Sequence, residues 1–188
     1  MEYNNKKIKD LFLGIKQYQP CISLKEKNRL IKIIDNLSYS NLHKPSYQKN
    51  IFSKNYEKII YDRVNSKLFK AFEKACCNYL NYKPKNINIK SWVHITWNNA
   101  SKKPNIGHSH NNCNQFALSG ILYLHLPKKS ETTFFYCEDT KFSLPREELS
   151  WFIFKSDLYH KPGRCFEKNK RYCISADFWL ENKDNIFG

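Results

Sequence analysis

The chain has no apolar run that approaches the ~18 residues a membrane-spanning helix needs, so no span is expected. Residues Met1 to Asp10 contain no apolar stretch of the signal-peptide kind, and a secretory leader is not expected either. Among the seven cysteines there is no CxxC pair, and Cys76 and Cys77 are adjacent and badly placed to bond to each other. An odd number of thiols with no framework spacing points to a reduced, cytoplasmic chain. No internal repeat and no composition break marks a second domain. The 188 residues are expected to form one domain, 1–188, with a mainly helical part at 1–84 and a strand-rich core at 85–181.

Arginine is also scarce. The net charge of +15 resembles the electrostatic footprint of a nucleic-acid-binding protein, yet only five of the 32 basic residues are Arg. Lysine, asparagine and isoleucine together make up 65 residues, all types favoured by AT-rich codons, and the lysines are scattered from Lys6 to Lys183 with no dense block. Base recognition favours the bidentate guanidinium, which is what the composition lacks. A solvated basic surface is the main reading, and a nucleic-acid-binding module is kept as the rival from another functional class. With 41% hydrophobic and 15% aromatic residues the chain has ample material for a packed core, so disorder is not expected.

The periodicity changes halfway along. Leu11 to Ile15 is expected as an entering strand. Ser23-Leu-Lys-Glu26 is a capping box followed by Leu30, Ile31, Ile33, Ile34 and Leu37, which predicts a helix over 24–37. A polar stretch, Ser38 to Ser53, reads as a loop. Ile60, Val64, Leu68, Phe72, Ala75 and Tyr79 recur at spacings of three and four, predicting a helix from about Tyr56 to Leu80 that Pro84 closes. From Ile87 the period becomes two. Ile87, Ile89, Val93, Ile95 and Trp97 alternate with mostly polar residues, and Arg171, Cys173, Ser175, Asp177 and Trp179 alternate with Tyr172, Ile174, Ala176, Phe178 and Leu180. Leu118 to Leu126, Thr132 to Cys137 and Trp151 to Lys155 are strand-like between them. Helices first and strands afterwards is an α+β order. Antiparallel strands with one apolar and one polar face suit a barrel or sandwich whose outer face packs on the helices and whose inner face lines a polar pocket.

Six histidines are candidates for chemistry. His108-Ser-His110 is the most suggestive pair, because residues i and i+2 of an extended segment point the same way and two imidazoles so placed can reach one metal ion. The alternative is a polar loop with two solvent-facing histidines. His160 is a third candidate, and Arg171 follows it by 11 residues at the start of a strand whose polar face also holds Ser175. A guanidinium on an inner face needs an anion. Asp177 is one possible partner, and the carboxylate of a bound small acid is the other. His94 and His125 fall on polar strand faces, with a supporting structural role as the main reading. Trp92, Trp97, Trp151 and Trp179 read as core and pocket wall, and Cys113, Glu138 and Asp139 as loop residues.

The order of these elements resembles the 2-oxoglutarate- and Fe(II)-dependent oxygenases. Phe154-Lys-Ser-Asp157, His160 and Arg171-Tyr-Cys-Ile-Ser175 resemble the F-x-S-D, H and R-Y-x-I-[ST] stretch of the prolyl-hydroxylase branch, and Ile121-Leu-Tyr123-Leu resembles its Y-Y-L-N strand. His108-Ser-His110 with Ser119-Gly-Ile-Leu-Tyr123 is similar to a group of such oxygenase sequences common in phage and marine bacteria, which carry H-x-H and S-G-x-x-Y. The resemblance covers about residues 87–180. It implies a double-stranded β-helix of jelly-roll, cupin-like type with the N-terminal helices on the outer face of one sheet. It implies Fe(II) as cofactor, 2-oxoglutarate as cosubstrate and O2 as oxidant. His108 and His160 then look like iron ligands, Arg171 like the partner of the C5 carboxylate, and Tyr123 and Ser175 like its hydrogen-bonding helpers. Asn98, ten residues before His108, stands where that branch presents a polar side chain to the cosubstrate.

His110 departs from the family, which has Asp or Glu there. Three readings stay open: His110 ligates and makes a three-histidine site, it turns away and leaves a position open, or the site no longer catalyses. An open position is how halogenating relatives admit halide. Hydroxylation of a C–H bond is the expected activity. A halogenase and a keto-acid-independent three-histidine dioxygenase are the enzymatic alternatives, although Arg171 and Ser175 have no task in the latter. The substrate class, whether protein, nucleotide or metabolite, is not legible.

Overall fold

Ser23 and Glu26 open the first helix reciprocally. The Glu26 backbone N–H donates to Ser23 Oγ at 3.3 Å, and the Ser23 backbone N–H donates to Glu26 Oε2 at 2.8 Å. The computed structural model describes residues 14–18, 22–39, 48–51, 66–85, 87–97, 107–110, 117–137 and 140–180. In it the capping box starts α1 (Leu24–Tyr39), which buries Leu30 and Ile34. The second helix, α2 (Ser66–Leu80), buries Leu68, Phe72 and Ala75 of the predicted stripe together with Phe69 and Cys76, while Tyr79 is partly buried. It ends at Leu80 because Asn81 takes a left-handed conformation, φ 63°, and caps it; Pro84 lies further on. Residues 56–65, the expected first part of this helix, lie outside the described residues.

The strands are β1 (Lys16–Tyr18), β2 (Gln48–Ile51), β3 (Ile87–Thr96), β4 (Ala117–His125), β5 (Phe134–Cys137), β6 (Thr140–Ser143), β7 (Trp151–Lys155), β8 (His160–Lys161) and β9 (Arg171–Leu180). They form a six-stranded sheet in the order β1-β7-β4-β9-β3-β2 and a three-stranded sheet in the order β6-β5-β8. Every strand pairing is antiparallel. The central strand β9 pairs with β3 along its whole length, from Arg171↔Thr96 to Leu180↔Ile87, and with β4 on its other edge.

Alternation divides the large sheet into two faces. Tyr172, Ile174, Ala176, Phe178 and Leu180 join Val93, Ile95, Leu118, Leu122, Trp151 and Ile153 in one core with the buried residues of both helices. Phe72 packs its ring 4.7 Å from that of Trp151, whose Nε1–H donates to Leu68 O at 3.3 Å. Gly120 lies on this face because there is no room for more: a Cβ there would stand 2.4 Å from Phe72 Cε2. On the opposite face Ile121, Tyr123, Phe152, Phe154 and Cys173 form a second core with Phe135, Phe142 and Leu144 of the small-sheet region. Phe135 meets Phe154 edge-on at 4.8 Å. The polar remainder of this face, Arg171, Ser175 and Asp177 among it, lies toward the site.

Three expectations differ from what is observed. Residues 11–13 of the expected entering strand lie outside the described residues, and the strand seen there begins at Lys16. The polar stretch 38–53 contains β2, which pairs with β3 from Gln48↔Thr96 to Ile51↔Val93. An edge strand needs only backbone donors and acceptors beside a longer neighbour, so a polar sequence can supply one. The segment after Cys137 likewise holds β6, too short to show a period of two by itself.

Candidate active site

Backbone pairing brings the histidines together. His108 N–H donates to His160 O at 2.8 Å and His160 N–H to His108 O at 2.9 Å, while His110 N–H donates to Ser156 O at 2.7 Å. The HxH segment is thus tied to the chain on either side of the Ser156–His160 turn, and both of its imidazoles face that of His160. One ring nitrogen from each of the three lies within 4.8 Å of the other two. Ring centroids are 4.6 Å apart for His108 and His160, and 5.0 Å apart for His110 with either neighbour.

The hydrogen bonds select tautomers. His160 Nδ1 lies 2.9 Å from Leu158 O, a carbonyl that can only accept, so Nδ1 carries the proton and Nε2 keeps its lone pair. Burial pushes the His160 imidazole down to about 3, with His110 and His108 lowering it further against the Leu158 carbonyl. It is therefore neutral, the form that binds metal. His110 Nδ1 stands 2.7 Å from Asp177 Oδ1, and Ser119 Oγ donates to the same oxygen at 2.6 Å. Ser119 faces Asp177 directly in the β4–β9 register.

Arg171 is 1% exposed, and none of its three guanidinium nitrogens has a hydrogen-bond partner among the described residues. Asp177, the protein partner that its strand face offers, is engaged by His110 and Ser119 instead. A buried cation without a counter-charge is costly, so the geometry calls for an anion that the described residues do not supply. Two further buried atoms lack partners beside it, His94 Nδ1 and Thr96 Oγ1. Thr96 is paired with Arg171 and His94 with Cys173 across β3 and β9, so these side chains share a face. Burial first, then the Arg171 charge and the three histidines, push His94 down to about 3, and Trp92 Nε1–H donates to its Nε2 at 2.6 Å.

One cleft has His94, His108, His110, His160, Arg171 and Ser175 on its walls. Tyr123 is fully buried, its ring 5.1 Å from the Arg171 guanidinium carbon, and its hydroxyl donates to Thr133 Oγ1 at 3.0 Å while accepting from Thr133 N–H at 2.7 Å. Asn98, Cys113, Glu138 and Asp139 lie outside the described residues. His125 pairs with Glu148 at 3.1 Å and does not line the cleft. Sequence reasoning missed the Asp177–His110 pair and the parts of Ser119, Thr96 and Thr133. Asp177 was visible only as sharing a face with Arg171; its real partners follow from the strand register.

The donor set fits a metal ion that takes imidazole ligands and keeps positions open, since at least two of the three rings have Nδ1 bound elsewhere and Nε2 to offer. The unpaired guanidinium fits a small carboxylic acid in the same cleft.

No protein-family profile matches the chain, and no curated protein matches it. Solved structures do. EvdO2 from Micromonospora carbonacea var. aurantiaca, in complex with 2-oxoglutarate, superposes with a TM-score of 0.66 at 10% identity, covering 89% of this chain and 86% of that one. The epimerase SnoN from nogalamycin biosynthesis, in complex with Fe3+, alpha ketoglutarate and nogalamycin RO, gives 0.66 at 12% identity, covering 95% and 84%. The viral collagen prolyl hydroxylase vCPH from Paramecium bursaria Chlorella virus-1 gives 0.58 at 14% identity, covering 89% and 91%. At such identities the likeness shows the fold: the chain has the jelly-roll architecture of these proteins.

Proposed function

We propose that the chain is a 2-oxoglutarate- and Fe(II)-dependent oxygenase that hydroxylates a C–H bond. The observation that carries this reading is the buried, unpartnered Arg171 in one cleft with three clustered histidines. In the overall reaction a substrate R–H, 2-oxoglutarate and O2 give R–OH, succinate and CO2. One oxygen atom enters the product and the other enters succinate.

His108, His110 and His160 hold the metal, which when bound supplies the activation of O2. Arg171 grips the C5 carboxylate of the keto acid, with Ser175 four residues on along the same strand face. His94, neutral beside Arg171, adds no competing charge to the clamp. Tyr123 supports the guanidinium with its ring face. Asn98, just beyond β3, is a further candidate for contact with the keto acid. The aromatic wall of Trp92 and Phe154 limits water around the reacting groups.

A three-histidine dioxygenase that uses no keto acid would fit the histidines alone, but it leaves Arg171 buried without an anion. A cytoplasmic location is part of the proposal; among the described residues no helix is long and apolar enough to cross a membrane. The test is an aerobic incubation with Fe(II) and 2-oxoglutarate, with succinate and bound metal measured on one sample. Metal-dependent succinate formation that is lost in His160→Ala supports the proposal. A metal-loaded chain that neither binds nor decarboxylates the keto acid overturns it.

A further inference from the structure

We infer that Asp177 is a positioning residue of the metal site, acting through His110, and that the His110–Asp177 pair does here what a ligating carboxylate does elsewhere; this rests on the metal reading above. Among the described residues Asp177 is the only buried carboxylate, at 5% exposure. A buried carboxylate persists only where it is paired and hydrogen-bonded. Its cationic strand-mate Arg171 is six residues away along β9, roughly 20 Å in an extended strand, and does not pair with it. The carboxylate is spent on His110 Nδ1 at 2.7 Å instead, and Ser119 Oγ fixes the same oxygen at 2.6 Å.

Three consequences follow for His110. A carboxylate can only accept, so the proton sits on Nδ1 and Nε2 is left with its lone pair. Trp92, centroid 5.2 Å away, and His108, nearly parallel at 5.0 Å, both pack against the ring; these contacts constrain its plane, and the Asp177 bond constrains its rotation within that plane. Finally, an imidazole that donates to a carboxylate is a stronger base at its other nitrogen. Negative charge is therefore delivered to the site one residue further out, from the centre of the sheet rather than from the HxH loop. Without Asp177 the imidazole is free to take the tautomer protonated on Nε2, which cannot bind metal through that nitrogen.

The experiment is anaerobic calorimetric titration of Mn(II), a redox-inert probe, into the wild-type chain and the variants His160→Ala, His110→Ala, Asp177→Ala and the double variant His110→Ala/Asp177→Ala. Asp177→Ala is expected to weaken Mn(II) binding by roughly 10–100-fold, the usual loss for removing the partner of a ligating histidine. In the His110→Ala background the same change should have no further effect, because the route to the metal is already gone. Equal affinity of wild type and Asp177→Ala overturns the inference, as does an equal loss in both backgrounds, which would make Asp177 a folding residue only. If His160→Ala binds Mn(II) as the wild type does, the metal reading itself falls and this inference with it; if His160→Ala abolishes binding while Asp177→Ala keeps the wild-type affinity, only this inference falls. Should Asp177→Ala fail to fold, Asp177→Asn keeps the volume, and nitrogen NMR of ¹⁵N-histidine reads the tautomer without metal. His110 is expected to be protonated on Nδ1 in the wild type and to lose that preference in Asp177→Asn. A wild-type His110 protonated on Nε2 overturns the inference.

Discussion

The guanidinium carbon of Arg171 lies 5.1 Å from the centroid of the Tyr123 ring, and both side chains are withdrawn from solvent. The ring offers its electron-rich face but no counter-charge, so the pair holds a cation ready for an anionic ligand. Arg171→Ala should weaken 2-oxoglutarate binding by roughly 2–5 kcal/mol, as for removing one partner of a buried charge pair, while Mn(II) affinity stays near the wild-type value. Parallel calorimetric titrations of the two ligands check this; unchanged keto-acid affinity refutes the clamp.

Tyr123→Phe separates the ring from the hydroxyl. The variant keeps the face under Arg171 and removes both hydrogen bonds to Thr133, leaving the buried Thr133 N–H without its acceptor. A loss of about 1–3 kcal/mol of stability is expected in denaturant melts, with little change in keto-acid affinity. The opposite pattern, a stable variant that binds the keto acid poorly, would show that the hydroxyl serves the cosubstrate.

Gly120→Ala tests the helix–sheet contact. The added methyl would meet Phe72 Cε2 at 2.4 Å and Ile153 Cδ1 at 3.0 Å, in a core where Phe72 is fully buried against Trp151. Overpacking should cost about 1–3 kcal/mol. Combining it with Phe72→Leu should recover part of the loss if the clash is the cause, and the urea midpoints of the two variants decide this.

Acid should weaken the link between α1 and the sheet. Burial pushes the Glu148 carboxyl up, but Lys27, the Leu126 backbone N–H at 2.7 Å and His125 together bring it below its ordinary value of 4.5. A carboxyl lowered by folding contributes stability above that ordinary value, and the contribution disappears as pH falls through the folded one. Glu148→Gln should therefore be less stable than the wild type at neutral pH, and the difference should narrow below pH 4.5. Thermal melts from pH 3 to pH 7, roughly the span across which a carboxyl titrates, test this; a difference that does not change with pH contradicts it.

Much of the core was readable because burial imposes a period. The alternation over Arg171–Leu180 marks β9 residue by residue, and the three-and-four spacing of Leu68, Phe72, Ala75 and Tyr79 marks the face of α2. The three histidines and Arg171 were legible as residue types in order. What could not be read was pairing. The sequence places Asp177 and Arg171 on one strand face, which suggests a pair, and only the register sets Ser119 opposite Asp177 and leaves Arg171 beside Thr96. Short strands such as β2 and β6 were missed because hydrogen bonding to a neighbour, not side-chain pattern, makes them strands.

The site is tested most directly by anaerobic titration of 2-oxoglutarate into the Fe(II)-loaded chain, followed through the visible charge-transfer absorption of an iron–keto-acid chelate. The wild type should develop the band to saturation. His160→Ala should show none, and Arg171→Ala should need far more keto acid to reach the same intensity. A metal-loaded wild type with no band at saturating 2-oxoglutarate, or a His160→Ala variant with an undiminished one, would contradict the assignment of this cleft as an iron and keto-acid site.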